Sequence, residues 1–254
     1  MKKLLISGWL ASLLLACEQA PTQPDEALTA IPLPALNEVA DVKQKKQLFT
    51  DFILPLIEAS NQQILDQRSQ LFAIKTQSTK GKLSDKQIEQ LNGLAAQYRV
   101  EAKLDATEKL KQLEARVDVI PPALVLAQAA NESAWGTSRF AREGNNLFGQ
   151  WCYQKGCGLV PLSRIDGAHH EVRKFDNVYQ SVNAYMQNLN SHPAYRDFQI
   201  SRQLARKTGQ LDAIKLASHL TSYSERGQAY VEELQQMMRV NSSLWPTTIS
   251  VSAS

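Results

Sequence analysis

The chain is poor in the residues that build metal sites. It has three cysteines and four histidines in 254 residues. No histidine has a second ligand pair nearby, so no metal is expected, and no cofactor either. It lacks a field of one charge sign. Its 28 basic and 25 acidic side chains give a formal net charge of +3, which argues against nucleic acid as a partner, and no acidic block marks a solvating tail. It lacks a bilayer-spanning run: the apolar stretch Leu4 to Leu15 is too short. It lacks internal repeats, which excludes a solenoid.

What the N-terminus does have is an export signal. Lys2 and Lys3 precede the short apolar run, which ends Leu14-Leu15-Ala16-Cys17. Small residues before a cysteine resemble a bacterial lipobox. That resemblance implies that residues 1–16 are removed and that Cys17 becomes a lipidated membrane anchor. An ordinary signal peptide with an incidental cysteine is the other reading. Glu18, rather than an aspartate, implies by the same resemblance the outer membrane, facing the periplasm. Removal of residues 1–16 takes two of the 28 basic side chains and leaves 26 against 25 acidic. Residues 17–40 carry Pro21, Pro24, Pro32 and Pro34 among Thr, Gln and Ala. They read as an extended tether without a core of its own.

Residues 41–117 read as a helical arm. Leu48, Phe49, Phe52, Ile53, Leu56 and Ile57 recur at three- and four-residue steps. Pro55 is expected to kink or interrupt that helix. After Gly81, the run Ser84-Asp85-Lys86-Gln87 has capping-box form. Ile88, Leu91, Leu94 and Tyr98 then share a face. An antiparallel helical arm packed onto the next unit is expected, and it shows no chemistry.

Residues 118–240 form that unit. A helix from Pro122 to Glu132 opens it. A hairpin is expected from Leu159–Arg164 to Glu171–Phe175 around Asp166-Gly167. Val178, Val182, Tyr185 and Leu189 mark a further helix, and Leu211–Leu220 another. Ser224 is a candidate cap for a last one, faced by Tyr230, Val231, Leu234, Met237 and Met238. Residues 241–254, rich in Thr and Ser, read as a flexible tail.

The chemistry centres on Glu132. It ends a helix of small apolar residues, where an ionisable group is rare unless paired or used. Burial and the negative end of a helix dipole both disfavour its charged form. That suits a general acid that must stay protonated near neutral pH. A glutamate capping a neighbouring loop fits the helix context equally well. Gln128 lies one turn back on the same face. Cys152 and Cys157 flank a short loop in WCYQKGCG. In an oxidising periplasm such a pair reads as a disulfide, with zinc as the rival.

The segments AQAANESAWGTSRF, GNNLFG and SYSERGQAYVEELQQMM occur in that order. Together they resemble the N-acetylglucosaminidase domain of family 73 glycoside hydrolases, which includes flagellar enzymes and many autolysins. The likeness covers about half the chain. It implies a mainly α, lysozyme-like fold with a small β-hairpin lobe over a groove. It implies Glu132 as general acid and Tyr223 as a tyrosine near the reacting sugar. It implies Trp135, Asn146, Phe148 and Tyr230 as groove residues that contact the glycan. Many members carry a second carboxylate on the first hairpin strand, but here Leu162-Ser163-Arg164-Ile165 has none. Asp166, at the turn, reads as structural. Glu171, on the return strand, is the remaining candidate, although a buried Val172 would turn it outward. If it does not serve, the substrate's acetamido group or Tyr223 must. The reading that results is a lipid-anchored hydrolase of peptidoglycan glycan strands, cutting the β-1,4 bond after N-acetylglucosamine. A lytic transglycosylase and a catalytically silent glycan-binding or scaffold lipoprotein are the alternatives.

Overall fold

One long helix organises the molecule. In this computed structural model, which describes residues 26–162, 167 and 169–253, a short helix α1 (Glu26–Ala30) precedes α2 (Val42–Lys80). Asp41 caps α2 by accepting from the Gln44 amide at 2.6 Å. The helix is not interrupted at Pro55. Proline removes the bond to the carbonyl of Asp51, but that residue is exposed and water can serve it. Phe49, Ile53, Leu56 and Ile57 are buried on both sides of the proline and hold the helix in place.

The next helix, α3 (Asp85–Gln97), starts in the expected capping box. The Ser84 amide donates to Gln87 Oε1 at 2.9 Å, and the Gln87 amide donates to Ser84 Oγ. Asp105 caps α4 (Ala106–Arg116). The following helix, α5 (Pro122–Ser133), is built almost wholly of buried Ala, Leu and Val. Such a helix, apolar all round, has to lie inside the protein. It is packed by α2, by α9 (Ala213–Ala217) and by α10 (Gln228–Val240). Between these lie α6 (Arg139–Gly144), α7 (Val178–Ser191) and α8 (Arg196–Arg206), with α7 packed along α2. The protein is thus mainly helical. Among the described residues no helix is long and apolar enough to cross a membrane.

An ionic knot pins the start of α5. The fully buried Asp118 accepts from Arg206 Nε at 2.7 Å and also from its Nη2, with Arg68 3.8 Å away. Arg202 donates to the carbonyls of Asp118 and Ala115, each at 2.9 Å. Burial pulls the Arg202 guanidinium down to about 10, against the opposing pull of Asp118. Burying several charges together is tolerable only when they pair and bond one another in this way.

Two small antiparallel sheets complete the fold. In the first, β3 (Glu171–Arg173) lies between β1 (Trp151–Cys152) and β2 (Gly158–Leu159), with Cys152 opposite Glu171 and Leu159 opposite Val172. The expected hairpin is therefore shorter than its sequence signals suggested and has an additional strand at Trp151. A Cβ on Gly158 would stand 2.0 Å from the Val172 carbonyl, so only glycine allows this pairing. Residues 163–166, with Asp166, lie outside the described residues, as do residues 1–25, with the signal peptide and Cys17.

The segments expected to be loose at either end are ordered where described. Leu36, in the expected tether, is fully buried. The expected flexible tail holds the buried Trp245, whose Nε1 donates to Thr50 Oγ1 at 2.8 Å. It also holds β5 (Thr248–Ser250), which pairs with β4 (Gln210–Asp212). Thr and Ser are compatible with an edge strand as well as with disorder, and composition could not separate them. Nor does the last helix start at Ser224: Gly227, at φ +53°, precedes α10. One core runs from Leu36 to Trp245 and joins residues on both sides of position 118. The arm supplies part of the wall around α5.

Candidate active site

The end of α5 is an unusual turn. Ala134, Trp135 and Gly136 have φ of +50°, +59° and +75° in succession. Left-handed backbone at two non-glycine residues is costly and marks a site held by its surroundings. Ser133 does much of the holding: its hydroxyl donates to the Ala129 carbonyl and accepts from the Gly136 amide at 2.7 Å. The serine of the Glu-Ser pair thus shapes the turn. Gly136 is required twice over, by its φ and because a Cβ would lie 2.8 Å from the buried Leu36 side chain.

Glu132 is half-buried just before this turn. Its carboxyl is pushed above the usual carboxylate range, first by burial and then by Glu233. Hydrogen bonds with Tyr230 and Asn131, and the Arg226 charge, oppose the shift. Behind it runs a polar chain. The Tyr185 hydroxyl donates to Gln128 Oε1. Gln128 Nε2 donates to the Tyr230 hydroxyl at 3.0 Å. That hydroxyl, already accepting, donates its own proton to Glu132. Gln128 is fully buried, so both ends of its amide are spoken for.

Aromatic rings close in around this chain. Tyr223 and Tyr230 stack with centroids 5.5 Å apart, and Phe148 and Tyr185 at 3.9 Å. Tyr195 and Tyr185 stand beside Tyr223, at 6.3 and 6.1 Å. Tyr223, on the turn Thr221–Tyr223, donates its hydroxyl to the Phe148 carbonyl at 3.2 Å. Burial and the nearby Glu132 raise its pKa well above the ordinary phenol value. Arg226, just before α10, pairs with Glu233 on that helix at 2.7 Å.

The Asn-Asn-Leu-Phe-Gly box is a clasp between α6, β3 and α7. Asn145 ends α6 in the left-handed region and donates to the Phe175 carbonyl at 2.9 Å. Asn146 is buried, and its amide nitrogen donates to the carbonyls of Gln150 (3.0 Å) and Arg173 (2.9 Å). Its oxygen accepts from the Phe148 and Gln150 amides. Trp135 lies edge-on to Phe49, stacks on Trp245 and has Lys46 over its ring.

Glu171 is buried with Val172, and only Arg173 of that strand is exposed. Its two carboxylate oxygens accept from the Gly156 amide at 2.9 Å and the Gly158 amide at 2.8 Å. Those amides flank Cys157, which is disulfide-bonded to Cys152 as its spacing suggested. The structure therefore brings Glu132, Tyr223 and Tyr230 together, with Phe148 behind them. It ties Glu171 and Asn146 into backbone. The partners missed in the sequence are Tyr185 and Glu233, which showed there only as positions on helices.

This arrangement gives a raised, half-buried carboxyl in an aromatic pocket, and known proteins carry the same sequence pattern. Residues 107–243 match the glucosaminidase family model, described as mannosyl-glycoprotein endo-beta-N-acetylglucosaminidase. The chain belongs to the glucosaminidase family. It is a glycoside hydrolase, an endo-β-N-acetylglucosaminidase. It is also 35% identical to the Escherichia coli protein Bax over 215 residues, 84% of this chain and 75% of that one. No solved structure matches it. The family match of this glucosaminidase begins within α4 and ends just beyond α10. It thus takes in Glu132, Tyr223 and the three-stranded sheet but leaves out α2, α3 and β5.

Proposed function

We propose that the protein is a peptidoglycan hydrolase that cuts the β-1,4 bond after N-acetylglucosamine, with Glu132 as its general acid. The observation that carries this reading is the environment of Glu132: half-buried, raised in pKa and fixed by the Tyr230 hydroxyl. Burial favours its protonated form, and the Tyr230 hydroxyl orients it. It gives its proton to the glycosidic oxygen as the bond from C1 to that oxygen breaks.

The positive charge developing at C1 then needs a partner. Glu171 is assigned to the disulfide loop, because both its oxygens already hold backbone amides. The substrate's own acetamido oxygen then serves as the nucleophile, and Tyr223, beside Glu132, is the protein group that would stabilise the developing charge. Water completes the hydrolysis at C1, and Glu132, now ionised, takes a proton from it. Trp135 belongs to the wall of the cleft. Asn146 and Phe148 shape the loop that Tyr223 leans on. The lipobox-like sequence supports an anchor at Cys17 that would place the enzyme on the periplasmic side of the outer membrane.

Digestion of purified sacculi, followed by mass spectrometry, tests this. Fragments with reducing N-acetylglucosamine ends are expected. Anhydro-muramic ends would assign the protein as a lytic transglycosylase instead, and no release at all would leave a glycan-binding lipoprotein.

A further inference from the structure

The arm showed no chemistry in its sequence, yet its first turns lie beside the end of α10. On α10, Tyr230, Glu233, Met237 and Val240 fall at three- and four-residue steps and share one face. Tyr230 holds Glu132, and the stripe runs from there for roughly 15 Å at the helical rise. Two depressions follow it. One, of about 300 Å³, is lined by Trp135, Lys46, Glu233, Gln236, Met237 and Val240 among others. The second, of about 660 Å³, continues past Lys46, Val240 and Asn241 to Asp41, Val42 and Lys43 at the start of α2. Both lie in the size range of small-ligand clefts. Val42 and Val240 are exposed, at 65% and 62%, and offer apolar faces to sugar rings.

Lys46 stands where the two depressions meet. Its ammonium meets neutral groups: Asn241 Oδ1 at 2.9 Å and the Trp135 ring, 5.0 Å from its centroid. Among the described residues no carboxylate pairs with it, and the nearby Glu233 is paired with Arg226. An ammonium keeps further donors in that setting. We propose that the surface between α10 and the first turns of α2 is a saccharide subsite continuous with the Glu132 site. In it, Lys46 receives a carboxylate carried by the glycan strand. The inference rests on the peptidoglycan reading, since muramic sugars alone in that strand carry such a group, either as the lactyl ether or on the attached peptide. The subsite lies partly outside the family match, because α2 supplies Lys46.

The test uses the full chain with Glu132→Gln, so that binding is read without turnover. Three probes are titrated by calorimetry: N-acetylglucosamine oligomers, peptide-free strands with free lactyl carboxylates, and peptide-bearing strands. Adding Lys46→Ala is expected to weaken a carboxylate-bearing probe roughly tenfold, as for loss of a charge-assisted bond. The neutral oligomers should be unaffected, and Lys46→Arg should restore most of the loss. Loss on the peptide-free strand identifies the lactyl group, and loss confined to the peptide-bearing strand identifies the peptide. Unchanged affinity for both carboxylate-bearing probes, or an equal loss for all three, would overturn the subsite while leaving the proposed function standing. If the unsubstituted enzyme releases nothing from sacculi and the Glu132→Gln parent binds no probe, the peptidoglycan reading fails and takes the subsite with it.

Discussion

Gln128 and Glu132 stand one turn apart on α5, and the Tyr230 hydroxyl joins them, accepting from the first and donating to the second. One buried amide therefore determines which way a tyrosine proton points, and that proton bears on the acid. Because the donation favours ionised Glu132, removing it raises the Glu132 pKa further. Tyr230→Phe should move the alkaline limb of the kcat/KM profile to higher pH. It should also cost about 1–3 kcal/mol of stability, since buried Gln128 Nε2 loses its acceptor. Glu233→Gln should move the same limb the other way, because Glu233 raises the Glu132 pKa. A pH–rate series on both variants checks the two signs.

Glu132→Gln should lower turnover on the order of 10²-fold or more, as loss of a general acid does. It should also change stability in a pH-dependent way. The folded-state pKa of Glu132 is raised above its ordinary 4.5. The native state thus holds that proton longer than the unfolded chain does, and stability falls as pH rises from 4.5 through the raised value. The variant lacks this loss. Urea melts at acid and at neutral pH should show the stability difference shifting toward Glu132→Gln as pH rises. A constant difference would contradict the burial argument.

Glu171→Gln separates a scaffold from a catalyst. A glutamine can accept one of the two amides at Gly156 and Gly158 but turns an NH2 group toward the other. The loop should loosen, and dithiothreitol should reduce Cys152–Cys157 faster than in the parent. Unchanged reduction with a large fall in turnover would instead mark Glu171 as part of the chemistry.

Trp245→Ala should cost about 3–5 kcal/mol, the usual range for removing a buried tryptophan. Trp245 is 1% exposed, stacks on Trp135 at 5.4 Å and bonds Thr50. Denaturant unfolding measures it. A change of a few tenths would mean that the C-terminal segment is as loose as its composition suggests.

The sequence by itself determined the elements whose signals are local. A run of small apolar residues ending in an acid is enough to make α5 and to leave Glu132 at its last turn. The Ser84 capping box, the apolar faces of α7 and α10, and the spacing of Cys152 and Cys157 depend on residues within a few positions of one another. Tertiary structure decided whatever required two distant segments to meet. Strands of two or three residues carry too little alternation to say where Glu171 points, and only the loop closed by the disulfide gives its oxygens two amides. The Tyr185 hydroxyl is invisible in a helical face pattern until Gln128 arrives opposite it. Trp245 looks like a stray aromatic in a polar tail until Thr50 and Trp135, over a hundred residues earlier, form its pocket. Periodicity encodes which face is buried, and only packing encodes what that face is buried against.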